Sequence, residues 1–285
     1  MISEIEAIFD SATFGKIKRV EPISGGSINE AYKVETEKGL LFLKLNDANQ
    51  FPNMFEAESK GLNLLTHSSF RIPEPILVGR NGGKQFIIME WIEQGVPDTN
   101  FWSLFGESLA KLHSNTTDKF GLNHDNYIGS LPQVNDFMGS WADFYREQRL
   151  LPQIKLAEQQ GRLTNSIRLG FDNLFKRLDE LMPIEKPALI HGDLWSGNMM
   201  VSKGGVPCIF DPAVYYGHRE MDLAMMALFG GFGDAWIDSY NDVYPLELGW
   251  RSRIQIAQLY PLMVHVNLFG GGYARSVETI LKRFV

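Results

Sequence analysis

In the first part of the chain short strand-like apolar runs alternate with polar turn signals. Ile17–Ile23, Asn29–Thr36 and Leu40–Leu45 are rich in apolar and β-branched residues, and Gly25-Gly26 and Lys38-Gly39 punctuate them. They read as strands joined by tight turns. From Phe51 to Thr66 the period lengthens, with Phe55, Leu62 and Leu65 close to a helical repeat. Ile76–Val78 and Gln85–Trp91 return to strand character on either side of the turn-forming Asn81-Gly82-Gly83. Three strands, a helix and two further strands describe a small α+β lobe. The preceding MISEIEAIFDSATF reads as an amphipathic helix carrying acids.

After Glu93-Gln94-Gly95 helical periodicity takes over, at Phe101–His113, Trp141–Gln160, Ser166–Met182, Met221–Phe229 and Leu248–Leu268. One β-like interruption breaks it: Ala188–His191, Met199–Val201 and Val206–Phe210. No repeat, low-complexity tract or long linker separates independent domains. The expectation is an α+β, two-lobed architecture. An antiparallel-sheet lobe spans residues 1–90, and a larger, mainly helical lobe spans 91–285, joined by a short hinge.

Composition narrows the function classes. Across 285 residues, 44% hydrophobic and 21% charged content is ordinary for a globular enzyme and argues against disorder. A net charge of −7 argues against nucleic acid as the main partner, although an acidic total permits a locally basic pocket. The single cysteine, Cys208, lies in the apolar run Val206–Phe210 and reads as a small buried hydrophobe, which leaves no disulfide framework. The N-terminus lacks the basic region and apolar core of a signal peptide, and no stretch approaches the roughly 18–20 apolar residues of a membrane span. A cytoplasmic setting with no membrane partner is the default expectation.

The densest chemistry is His191-Gly192-Asp193-Leu194-Trp195-Ser196-Gly197-Asn198, with an Asp and an Asn five positions apart between two short strands. Kinases use this spacing in H-R-D-L-x-x-x-N, where the Asp accepts the acceptor hydroxyl's proton and the Asn holds magnesium. The competing meaning is a polar turn, since Asp, Gly, Ser and Asn all form turns readily. Thirteen positions beyond Asn198, Asp211 ends the apolar run Pro207-Cys208-Ile209-Phe210. A carboxylate at the end of a buried strand is costly unless paired or bound to metal. This is where protein kinases carry the second magnesium ligand, in D-F-G; here the sequence is Asp211-Pro212-Ala213.

In the first lobe, Ser24-Gly25-Gly26-Ser27-Ile28-Asn29 can fold over nucleotide phosphates and offer backbone N–H groups, although a Gly-Gly hairpin turn is the commoner meaning. Lys44, within Leu41-Phe42-Leu43-Lys44-Leu45, needs an anionic partner or a solvated face; a kinase lysine in such a strand contacts phosphates and pairs with a helix Glu. Glu56 and Glu58 are both available on the next helix, and Glu58 sits better relative to Gly61–Leu65.

The chain resembles the fructosamine/ketosamine-3-kinase family, relatives of aminoglycoside phosphotransferases within the protein-kinase-like fold. The resemblance covers nearly the whole chain. It is most specific at His191–Asn198, at Asp211–Met225 (DPAVYYGHREMDLAM) and at Leu228–Phe232. Further matches are Met54–Glu58, Asn126-Tyr127-Ile128-Gly129 and Trp141–Leu150 (WADFYREQRL). It implies an ATP- and Mg²⁺-dependent enzyme acting on the 3-hydroxyl of a ketosamine, free or on a glycated protein. It further implies Asp193 as base, Asn198 and Asp211 as magnesium ligands, and Gly25, Gly26 and Ser27 over the phosphates. Lys44 with Glu58 would orient ATP, Met89, Glu90, Trp91 and Ile92 would form the adenine hinge, and Trp195 and His265 would lie on the acceptor side.

Departures carry information too. Some relatives have a Cys in the phosphate loop where Ser27 stands, so thiol switching is not expected there. Gly192 replaces the Arg with which protein kinases read a phosphorylated loop, and the Asp211–Asp222 interval is too short for a conventional activation segment. Asp222 is expected to brace the catalytic loop. Two other readings stay open: a kinase for another small alcohol, such as an aminoglycoside or an amino alcohol, and a nucleotide-binding pseudokinase. The complete set of Lys44, Asp193, Asn198 and Asp211 counts against the second.

Overall fold

A computed structural model describes residues 2–10, 14–24 and 28–284. Helix α1 (Ile2–Asp10) precedes strands β1 (Ile17–Ile23), β2 (Glu30–Thr36) and β3 (Gly39–Asp47), helix α2 (Met54–Leu65), and strands β4 (Pro75–Asn81) and β5 (Lys84–Glu90). The five strands form one antiparallel sheet in the order β1-β2-β3-β5-β4. Because successive side chains point to opposite faces, β3 serves two layers. Leu41, Leu43 and Leu45 join Val34, Phe86 and Ile88 under Ile5, Ile8 and Phe9 of α1. Phe42, Lys44 and Asn46 alternate with them. Phe42 joins the large second core, and the Asn46 amide lies 3.2 Å from Met54 Sδ on α2. The same alternation assigns Ile87 and Met89 of β5 to the second core.

The helical part opens with α3 (Phe101–His113) and the hairpin of β6 (Asn126–Ile128) and β7 (Leu131–Gln133). The helix read over Trp141–Gln160 is three pieces: α4 (Trp141–Phe144), a π-helical turn (Tyr145–Leu150) and α5 (Leu151–Gln159). Pro152 has no N–H to give the Gln148 carbonyl, so the helix widens there. Leu151 N–H reaches back to Arg146 O, and Arg149 Nη1 donates to Gln148 O at 3.1 Å. The run read over Ser166–Met182 likewise divides into α6 (Asn165–Phe175) and α7 (Leu178–Leu181), because Arg177 closes the first on an N–H bond to Leu174 O.

Strand β8 (Ala188–Ile190) pairs with β11 (Tyr215–Gly217), and β9 (Met199–Ser202) with β10 (Val206–Ile209). The remaining helices are α8 (Glu220–Phe229), α9 (Ile237–Val243), α10 (Trp250–Phe269) and α11 (Tyr273–Leu281). Helix α10 starts after Leu248, since Gly249 holds a left-handed φ of 79°. It then continues past Pro261, whose ring deprives Ala257 O of its helical donor. Beside the interrupted turn the buried Tyr145 hydroxyl donates to Ile256 O at 2.6 Å and accepts from Tyr260 N–H at 3.2 Å, with Ala257 O 3.4 Å away.

Backbone hydrogen bonds stitch the sheet part to the helical part. Gly95 N–H donates to Val201 O, Lys203 N–H to Glu93 O, Arg71 N–H to Pro207 O and Ile209 N–H to Arg71 O. A Cβ on Gly95 would collide with the Ser202 carbonyl. Gly95→Ala is therefore expected to lower unfolding stability by about 2 kcal/mol, the usual scale for a forced backbone clash, as read from the midpoint of urea denaturation.

Candidate active site

The loop after β8 is held from below by one carboxylate. Asp222, on the first turn of α8, accepts from His191 N–H at 2.7 Å and from Gly192 N–H at 2.9 Å while wholly buried. His113 Nε2 lies 3.2 Å from the same carboxylate, and His113 Nδ1 lies 2.8 Å from the Tyr240 hydroxyl. Burial keeps His191 below its ordinary pKa and so neutral. Its Nε2 donates to Phe210 O at 3.0 Å, and its Nδ1 accepts from Asp193 N–H at 3.3 Å. The loop and the strand end that carries Asp211 are thereby locked together.

On this frame Asn198 Nδ2 donates to Asp193 Oδ2 at 3.0 Å and to Asp193 O at 2.9 Å. The amide nitrogen is thus committed, and the Asn198 Oδ1 is the atom left to bind a cation. Asp211 holds a left-handed φ of 56°, costly for a residue with a Cβ, while its side chain stays 42% exposed toward the cleft. Lys44 Nζ bridges Glu58 Oε1 (2.7 Å) and Asp211 Oδ1. Burial works against its ammonium, yet Asp211 and Glu58 outweigh burial and hold its pKa above the ordinary lysine value. Glu58, not Glu56, is therefore the helix partner; Glu56 lies 3.9 Å from Arg80. Burial raises the Glu58 carboxyl, with Lys44 pulling the other way. Burial also pushes Asp193 up to about 7, opposed by Asn198 and reinforced by Asp211 and Asp222.

These groups line a cleft of about 300 Å³ whose far wall is aromatic. Trp195 packs edge-on to Phe229 at 6.1 Å, Phe229 lies 4.9 Å from His265, and His265 contacts Phe269 and Tyr273. Trp195, Phe229 and Phe269 remain 38%, 39% and 59% exposed, which is more than packing alone would leave on three adjacent rings. His265 Nδ1 donates to Pro261 O at 2.8 Å, and burial lowers its pKa, so its Nε2 is a neutral acceptor. Sequence reasoning singled out Trp195 and His265 but not Phe229 or Phe269. Their helical spacing in α8 and α10 reads as core until the helix ends are placed beside the loop.

Gly25, Gly26 and Ser27 lie outside the described residues. Met89, Glu90, Trp91 and Ile92 are not among the residues that line this cleft. Met89 is buried opposite Phe42, Glu90 pairs with Arg71, and Trp91 receives Lys33 Nζ over its ring at 4.7 Å.

A family model described as fructosamine kinase matches residues 1–285. The chain belongs to the fructosamine kinase family. An Enterococcus faecium protein provisionally named a ketoamine kinase is 39% identical, over 93% of this chain and 95% of its own. Mouse ketosamine-3-kinase is 32% identical, over 93% of this chain and 94% of its own. A Thermobifida fusca crystal structure, provisionally named a fructosamine-3-kinase, superposes with a TM-score of 0.89 at 36% identity, covering 100% of this chain and 99% of that one. The α+β fold is thus that of a kinase-like phosphotransferase, and no helix among the described residues is long and apolar enough to cross a membrane.

Magnesium fits the donor set of this fructosamine kinase family member. Glu58 and Asp211 share the single Lys44 ammonium, and Asp193 lies close enough to Asp211 for their charges to interact, so the cluster is rich in acidic groups. No group of three His, Cys, Asp or Glu among the described residues is placed to hold a metal; a magnesium ion shared with phosphate oxygens needs only one or two protein carboxylates.

The Asp193 environment has a consequence for stability. Its folded pKa of about 7 exceeds the ordinary 3.8, so the folded protein binds the extra proton between those values and loses stability as pH rises through them. Asp193→Asn, which keeps an oxygen for Asn198, is expected to raise the thermal midpoint by roughly 2–4 °C at pH 8. The gain should vanish near pH 4, as followed by circular dichroism melting across pH.

Proposed function

We propose that the protein is an ATP- and magnesium-dependent kinase that phosphorylates the 3-hydroxyl of a ketosamine, such as a fructosylated or ribulosylated amine, free or carried on a glycated protein. The observation that supports this best is the meeting in one cleft of Asp193, Asn198, Asp211 and the Lys44–Glu58 pair, opposite an aromatic wall. The names of the relatives, ketoamine and ketosamine-3-kinase, point to the same acceptor class.

In this reading the residue roles follow from their surroundings. The acceptor oxygen attacks the γ-phosphorus in line, the new O–P bond forms as the bond to the β-phosphate oxygen breaks, and ADP departs. Asp193 orients the hydroxyl and takes its proton; a pKa raised by burial suits a group that must hold a proton near neutral pH. Magnesium, when bound, neutralises phosphate charge, and Asn198 Oδ1 and the Asp211 carboxylate are the groups that would hold it. Lys44, kept charged by Glu58, offsets charge on the phosphates. Gly25, Gly26 and Ser27 would close over them, while Met89–Ile92, at the junction of a 1–90 lobe with a 91–285 lobe, would receive the adenine. Trp195, Phe229, Phe269 and His265 would hold the acceptor, with rings against the apolar faces of sugar and amine substituent and His265 Nε2 toward a hydroxyl. A cytoplasmic setting belongs to the same proposal.

Three measurements test it. Asp193→Asn should keep ATP affinity but lose at least about 100-fold in turnover; near wild-type turnover would remove Asp193 as the base. Steady-state kinetics should show preference for fructosylated or ribulosylated amines over kanamycin-type aminoglycosides and choline, since a site built to pair sugar hydroxyls rejects ligands that leave its polar groups unmatched. Trp195→Ala should raise the acceptor KM more than the ATP KM. Equal activity on aminoglycosides or choline would overturn the acceptor class while leaving the kinase reading in place.

A further inference from the structure

The hairpin of β6 and β7 places two buried amide side chains behind the Asp211 segment, although neither touches the reacting groups. Asn126 Nδ2 donates to Val214 O at 2.8 Å, and Gln133 Nε2 donates to Ala213 O at 3.1 Å. Both carbonyls lie just downstream of Asp211-Pro212. The amides are themselves held. Gln133 Nε2 also donates to Asn126 Oδ1 at 2.7 Å, and Tyr260 OH donates to Gln133 Oε1 at 2.7 Å. Asn135 Nδ2 donates to Asn126 Oδ1 at 3.0 Å, and Arg149 Nη2 donates to Asn135 Oδ1 at 2.6 Å. Asn126, Gln133, Asn135, Arg149 and Tyr260 are all buried. Polar side chains at that depth are costly unless mutually satisfied, and a satisfied network fixes one arrangement of whatever it grips.

What this network grips is a strained turn. Asp211 sits at φ 56°, a conformation that persists only when neighbours over-determine it. Upstream it is fixed by Phe210, whose N–H donates to Asn198 O and whose carbonyl accepts from His191 Nε2. Downstream, Ala213 N–H donates to His191 O, Asn198 Nδ2 lies 3.5 Å from Asp211 O and Tyr215 enters the pairing with β8. The side-chain hold on the Ala213 and Val214 carbonyls comes from Gln133 and Asn126. The same hairpin reaches the sheet part: Tyr127 OH donates to Pro52 O at 3.0 Å, next to the start of the helix that carries Glu58.

We propose that Asn126 and Gln133, braced by Tyr260, Asn135 and Arg149, are positioning residues that aim the Asp211 carboxylate at the metal. The inference rests on Asp211 being a magnesium ligand. Gln133→Met preserves length and shape but removes both hydrogen-bonding ends. Tyr260→Phe removes only the hydroxyl that orients Gln133.

ADP binding measured by titration calorimetry, with and without magnesium, separates positioning from general structural damage. In Gln133→Met the tightening of ADP binding by magnesium should fall roughly tenfold, the lower end for groups that orient a metal ligand. In Tyr260→Phe it should fall about threefold, as for one lost hydrogen bond. Metal-free ADP affinity should stay at the wild-type value in both. An unchanged magnesium effect in folded Gln133→Met overturns the inference, and if that variant does not fold, an unchanged effect in Tyr260→Phe does so. Equal loss of metal-free and magnesium-dependent binding also overturns it. Asp211→Asn supplies the reference. If it retains the magnesium effect, the ligand reading and this inference fall together; if it loses the effect while Gln133→Met keeps it, only the positioning inference falls.

Discussion

Asp222 has no access to water and carries a charge that would be prohibitive to bury unpaired. Its cost is met by two backbone N–H groups of the loop after β8 and by His113 of α3, which is in turn hydrogen-bonded to Tyr240 of α9. Three helices and a strand end therefore share one point of attachment. Removing the carboxylate would strand two buried N–H groups and a histidine together, so its effect should spread beyond a single contact. The constraint propagates outward. With the His191 and Gly192 backbone fixed, His191 can serve Phe210 O and Asp193 N–H at once, and Asp193 then faces Asn198 at hydrogen-bond distance.

A second balance operates across the cleft. Lys44 comes from a strand whose alternate residues fill an apolar core, and this periodicity presents its ammonium to α2 and to Asp211. Glu58 pairs with it from the next helix, and Asp211 pairs with it from across the cleft. Asp193, whose carboxyl burial pushes up to about 7, adds a third acidic group beside Asp211. The cleft thus sets one ammonium among three acidic groups, an arrangement suited to holding a cation beside an anion. The chain's overall acidity obscures this arrangement, which belongs to a handful of groups in a cleft.

Much of the site was legible because its spacing is local. Asp193 and Asn198 share one loop, Asp211 ends the neighbouring strand, and the strand and helix carrying Lys44 and Glu58 follow each other with unmistakable periods. Elements that depend on distant partners were not legible. The three-residue strands β6, β7 and β11 are too short to show a period and exist through tertiary hydrogen bonds such as Asn126 to Val214 O. The division of Trp141–Gln160 did have a signal, Pro152, but its remedy came from the Arg149 side chain and a widened turn. Pro261 warns of a break that never occurs; the hydroxyl of Tyr145, over a hundred positions away, is wedged into that turn between Ile256 O and Tyr260 N–H. Phe229 and Phe269 look like core residues in sequence and become a cleft wall only where two helix ends meet.

The same geometry bears on control. Gly192 has φ 82°, and a Cβ there would run into the Ala213 carbonyl, so no side chain, least of all an arginine, fits at the position where protein kinases sense a phosphorylated loop. The stretch from Asp211 to Asp222 is also fully employed. Ala213 N–H is bound to His191 O, the next two carbonyls are held by Gln133 and Asn126, Tyr215–Gly217 pairs with β8, and α8 begins at Glu220. Phosphorylation switches work by ordering a segment that is otherwise free to move. Here the stretch between the two aspartates is already bonded to the loop after β8, to the amide network behind it, to Gly121 and, through Arg219, to Glu185. An added phosphate would have to break buried hydrogen bonds instead of recruiting loose chain. The order that a protein kinase acquires on activation is built into the resting fold of this molecule.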